Sequence, residues 1–119
     1  MLTLKDALEQ CRNLWALIRD RECTNTVGKK YAAYDLGIGD YYHRCPLCQW
    51  TLEQSTKDIP DVDCTLCPIL EAWGKNSSQY RYACLNYSSP YRAFEFGRGT
   101  PELANKIVEA CEAKINSLQ

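Results

Sequence analysis

The sequence contains one histidine and one methionine among 119 residues. A single histidine cannot fill an HExxH metal site, and neither a GxSxG elbow nor a phosphate-binding P-loop occurs. A zinc-supported nuclease of the HNH type would need a histidine pair or a His–Asn set, which His43 alone does not supply. The expectation is a protein that is not an enzyme. Long apolar runs are missing as well: nothing approaches the roughly 18 consecutive residues that span a bilayer. The opening MLTLKDALEQ has early acidic residues and no uninterrupted apolar stretch. No signal peptide is therefore expected, and the expected compartment is the reducing cytoplasm. Charge of one sign is absent too, with 14 basic against 15 acidic residues and a net charge of −1. That balance gives no general attraction to nucleic acid or to an anionic membrane, so any such binding must come from a local patch.

What the chain does have is cysteine, eight of them. In a reducing compartment these are not read as four disulfides. The alternative, a secreted disulfide scaffold, would need a removed leader and usually a smaller, loop-richer chain. The length fits one domain, which can bury about two-thirds of its unfolded surface. At 45% apolar and 24% charged residues, the composition is that of a globular chain.

Helical periodicity dominates both ends. Thr3 can cap a helix, with Asp6 as the acidic partner of a capping box. Leu4, Ala7, Leu8, Cys11, Leu14, Trp15 and Ile18 then fill an i, i+3, i+4 pattern, predicting a helix over about 4–20. A second helix of weaker pattern is expected from Thr26 to Asp35, ended by Gly37 and Gly39. Ser89-Pro90 and Thr100-Pro101 each pair a capping residue with proline at the first helical position. The latter opens a helix over about 101–117, with Leu103, Ala104, Ile107, Val108, Cys111, Ile115 and Leu118 on one face. Only Tyr80 to Leu85 has any strand character. The expected fold is mainly α: one small helical domain with little or no β structure.

Between the helices, over about 41–85, lies the most specific signal. Cys45-Pro46-Leu47-Cys48 is followed, after fifteen residues, by Cys64-Thr65-Leu66-Cys67. Two residues between ligands let a tight turn aim both sulfurs at one metal, and two such turns complete the tetrahedron zinc prefers. Four protein ligands leave no open position for water, so the expected zinc is structural, not catalytic. Each pair precedes a short helical stretch carrying a Trp and a Leu, and a helix dipole favours the thiolate form that zinc requires. Ser55 to Asp63 reads as a polar surface loop. Cys84 could replace one member of the second pair, and His43 could offer a nitrogen, though only Arg44 separates it from Cys45. An iron–sulfur cluster and redox chemistry are the other readings. Cys67-Pro68 is similar to a ferredoxin ending, but the close-packed cysteine run is absent. CPLC resembles a glutaredoxin-type motif, but no βαβ scaffold is found. Cys11, Cys23 and Cys111 read as packing or ordinary thiols.

The order Leu14-Trp15, Tyr41-Tyr42, Cys45-Pro46-Leu47-Cys48, Cys64-Thr65-Leu66-Cys67-Pro68, Trp73-Gly74, Cys84 and Ser89-Pro90-Tyr91 resembles a group of small uncharacterised proteins from tailed bacteriophages. In that group an aromatic, often Trp, follows the SPY step, whereas this chain has Phe94 and Phe96 there. The resemblance implies a fifth cysteine of some standing, Cys84, and no enzyme activity. It also implies a phage-encoded inhibitor or modulator of a host protein, such as a defence component, acting in the host cytoplasm.

Tyr41, Tyr42 and Arg44, then Tyr80, Arg81 and Tyr82, then Tyr91 and Arg92 interleave aromatic and basic side chains. Such groups anchor protein–protein contacts. They can equally stack on bases and pair with phosphates, or simply close over a metal site while arginines reach outward. The expectation is a zinc-binding protein-interaction module that uses these residues as its partner surface. The alternative is a zinc-supported nucleic-acid binder. Neither the partner's identity nor the oligomeric state is written in the sequence.

Overall fold

The computed structural model describes residues 3–38, 46–47, 50–51, 67–69, 90–96 and 98–118. Within them the chain is mainly helical, and no strand occurs among the described residues. The helices are α1 (Leu4–Asp20), α2 (Thr26–Asp35), α3 (Pro90–Glu95) and α4 (Pro101–Ser117). Pro46, Leu47, Trp50 and Thr51 are helical as well. Among the described residues no helix is long and apolar enough to cross a membrane.

Helix α1 starts where Thr3, in an extended conformation, accepts the Asp6 N–H on its side-chain oxygen at 3.0 Å. This satisfies one of the orphan donors of the first turn, and the Asp6 carboxylate suits the positive end of the helix dipole. Ala7, Leu8, Cys11, Leu14, Trp15 and Ile18 are all fully buried, one stripe down one side. The helix ends through a Schellman arrangement. Glu22 N–H donates to the Arg19 carbonyl and Cys23 N–H to the Ile18 carbonyl, each at 3.0 Å. The residue that must turn left-handed there is Glu22, at φ 54°, where most helices use glycine.

A similar motif closes α2, this time with glycine in place. Gly37, at φ 70°, donates to the Tyr34 carbonyl, and Ile38 donates to that of Ala33. At its start, the Asn25 side chain accepts from both Val27 and Gly28 N–H, at 3.1 and 3.2 Å. Helix α4 is capped by Thr100, whose side chain accepts from Leu103 N–H at 3.3 Å, with Pro101 at the first position. Its buried face comprises Ala104, Ile107, Val108, Cys111 and Ile115. Leu118 falls at the C-cap, beyond the packed face, and is exposed.

Helices α1 and α4 form the main packing unit, with α2 laid on α1 and α3 on α4. Burying each larger apolar side chain in such an interface contributes about 1.5–3 kcal/mol. A polar tie, Arg19 to the Asn105 side-chain oxygen at 2.7 Å, fixes the two long helices in register. An aromatic cluster closes one end. Trp15 of α1 meets Phe94 of α3 edge-on at 5.0 Å between centroids, and Tyr91 at 5.7 Å. Gly99 leads into α4 beneath this cluster and donates its N–H to the Thr24 carbonyl at 2.9 Å. A Cβ at Gly99 would stand 2.4–2.6 Å from the Phe94 ring, so only glycine fits. The expected strand character over 80–85, the end of α2 at Gly39 and the polar loop over 55–63 lie outside the described residues.

Candidate metal and interaction site

The described part of the first cysteine pair is its middle. Pro46 and Leu47, which separate Cys45 from Cys48 in sequence, are fully buried, and Leu47 belongs to the main core. Four residues on, the buried Thr51 hydroxyl donates to the Leu47 carbonyl at 2.6 Å, and Trp50 packs half-buried against the same core. Ile69, just past the second pair, is likewise a core residue, and Cys67 packs half-buried against the same core. Pro68 and Ile69 form a turn. Segments next to both cysteine pairs are thus fastened to the one core built by α1 and α4.

Of the expected ligands, Cys67 alone falls among the described residues; Cys45, Cys48, Cys64, the alternate Cys84 and His43 lie outside them. Among the described residues no group of three or more His, Cys, Asp or Glu side chains is gathered as a metal site would require. The remaining described cysteines sit apart. Cys11 and Cys111 are buried on the packed faces of α1 and α4. Cys23 lies against Gly28 where α2 begins. Burial pushes its thiol pKa above the ordinary 9.0, against a lowering pull from Arg21 and a backbone hydrogen bond. A thiol shifted that way is mostly protonated at neutral pH and is a poor nucleophile.

The expected partner surface divides in the same way. Tyr41, Tyr42, Arg44, Tyr80, Arg81 and Tyr82 lie outside the described residues. Tyr91 and Arg92 lie within them, and Tyr91 is not a surface residue. It is 3% exposed, packed against Trp15 through its ring, and its hydroxyl accepts from Lys29 Nζ at 3.0 Å. The physical reason is its place in α3. Tyr91 and Phe94 are three residues apart and share the inward face, so the ring that reads as a recognition element fills the aromatic core. Arg92 is half-buried, with its guanidinium 4.6 Å from the centre of the exposed Phe96 ring.

Lys29 is the feature that the sequence reading does not anticipate. It is fully buried, and its ammonium also stands 4.5 Å from the centre of the Tyr91 ring. A buried cation is tolerable only with such partners. One signal was present in the sequence: Lys29 falls on the helix face shared by Thr26, Ala32 and Ala33, all buried. Trp15 presents the opposite case, a buried indole N–H with no hydrogen-bond acceptor in reach among the described residues. No protein-family profile, curated protein or solved structure matches the chain.

Proposed function

We propose that the chain is a zinc-stabilised helical module that works by binding another protein, in the setting of the phage resemblance a host protein that it inhibits or modulates. The supporting observation is the common anchorage of Leu47 and Ile69 in one core, beside the two CxxC pairs. Residues next to both pairs share one rigid support, as a single four-sulfur zinc site requires. The zinc would be held by Cys45, Cys48, Cys64 and Cys67, with Cys84 as the alternate, and would tie the middle of the chain to the helical scaffold. The sequence carries one histidine and neither an HExxH nor a GxSxG motif, which favours a binding role over a chemical one.

Two measurements test the reading. Metal analysis of the purified chain is expected to give about one zinc per chain, lost in Cys48→Ser together with part of the helicity. A metal-free protein with an unchanged circular dichroism spectrum would end the zinc proposal. Capture of partners from host lysate, with and without nuclease, addresses the second half. A protein partner that survives nuclease, and whose binding weakens in Arg44→Ala or Arg81→Ala, is the expected result. Binding that is lost with nuclease and falls steeply with salt would instead establish a nucleic-acid binder.

A further inference from the structure

Helix α2 is built the opposite way round from its neighbours. Its inner face is short and partly polar, while Val27, Tyr31 and Tyr34 stand on the outer face, 47%, 62% and 54% exposed. These positions are spaced i, i+4 and i+7, so they form one continuous apolar stripe. Two ionic residues border it. Lys30 lies on one flank, its ammonium 6.0 Å from the Tyr34 ring centre, and Asp35 lies on the other, paired with Arg21 at 2.5 Å.

We propose that this stripe is the interface of a homodimer in which α2 packs in parallel against α2 of a second copy. Charge complementarity selects that occupant and that direction. Written as a heptad, Val27 and Tyr34 take d positions, Tyr31 takes an a position, Lys30 is g and Asp35 is e. In a parallel pair a g residue faces the e residue five positions on in the other chain, so Lys30 meets the partner's Asp35, twice by symmetry. An antiparallel pair would bring g beside g and e beside e, setting lysine against lysine and aspartate against aspartate. Asp35 is already paired with Arg21 of its own chain but leaves 56% of its side chain exposed, so it can accept a second cation and the parallel arrangement is the complementary one. Tyrosine suits such a contact, because its ring buries against the partner while its hydroxyl stays at the wet edge.

The size of the patch sets the strength. A helix of ten residues is about 15 Å long, and pairing two of them stays below the ~1,200 Å² total buried in stable complexes. The dimer is thus a weak one, with a dissociation constant between about 1 µM and 1 mM. It is independent of the zinc and host-protein reading and survives if that reading fails.

Sedimentation velocity on the full chain, with its metal as purified and under reductant, tests the proposal between about 5 µM and 1 mM protein. The expected result is a rise from one chain to two. Tyr31→Glu should move the transition at least about 100-fold higher in concentration, with an unchanged thermal melt because the position is exposed. Lys30→Glu should weaken the dimer by about tenfold, and Lys30→Glu combined with Asp35→Lys and Arg21→Glu, which keeps the intrachain ion pair in reversed sense, should restore it. A wild-type chain that stays single at every concentration overturns the proposal, as does a dimer indifferent to Tyr31→Glu. Failure of the combined charge exchange to restore affinity overturns the parallel arrangement.

Discussion

The pair α1 and α4 and the shorter α2 obey opposite rules of patterning. In α1 and α4 the inward faces are built almost wholly from Ala, Leu, Ile, Val, Cys and Trp, and charged residues stand outside. In α2 a lysine and a threonine point inward beside two alanines, while a valine and two tyrosines point out. A long amphipathic helix can hold its place through its own apolar stripe. A ten-residue helix with small inner side chains cannot. It is held by its ends and by specific polar contacts: Asn25 at the start, Gly37 at the finish, Lys29 on Tyr91 between them. One part of this protein is secured by area and the other by geometry.

The largest expected effect breaks the area side. Trp15→Ala removes the largest fully buried side chain among the described residues and its edge-on contacts with Tyr91 and Phe94, and should cost about 3–5 kcal/mol in urea denaturation. On α2 the exposed Tyr31→Ala should change monomer stability by no more than about 0.5 kcal/mol. Equal losses at the two positions would erase the distinction between the helices.

Next is the joint below the aromatic cluster. Gly99→Ala drives a methyl group into the Phe94 ring, with an expected loss of about 1–3 kcal/mol. The smaller ring-free side chain of Phe94→Leu should recover part of that loss when the two changes are combined. A double variant whose loss is the sum of the two single ones would show that the clash is not the cause.

The geometric side is tested at Tyr91. Tyr91→Phe keeps the ring in place but removes the oxygen that accepts from the Lys29 ammonium. Hydrogen bonds to charged groups are worth about 1.5–3 kcal/mol, and a melt should show most of that loss. A neutral Tyr91→Phe would mean that the buried cation is satisfied without the hydroxyl.

The smallest effect has the opposite sign. Glu22 holds a left-handed conformation at the end of α1, which costs an L-residue about 1–2 kcal/mol. Glu22→Gly should raise stability by about 0.5–1 kcal/mol once glycine's greater unfolded freedom is counted. Glu22→Ala should give no such gain, which separates the backbone effect from the loss of a charge.

Among the described residues, the sequence by itself determined the three longest helices. A stripe repeating at i, i+3 and i+4 from Leu4 to Ile18, and again from Leu103 to Ile115, has one low-energy solution, because only a helix puts those side chains on one side. Thr3, Thr100 and Pro101 are local signals whose chemistry works within one turn, so they too were legible. The cysteine spacing is also a local signal, and it supports the zinc proposal without revealing what would surround such a metal. Tertiary structure alone decided the rest. Tyr91 and Arg92 are neighbours with similar sequence signals, yet one is core and the other is half-buried beside Phe96. Which is which depends on where Trp15, some 76 residues earlier, meets α3. Lys29 reads as a surface charge until Tyr91 is brought across to it from the far side of the chain. The inward face of Lys29 is a local feature, but its partner is fixed only when distant helices dock.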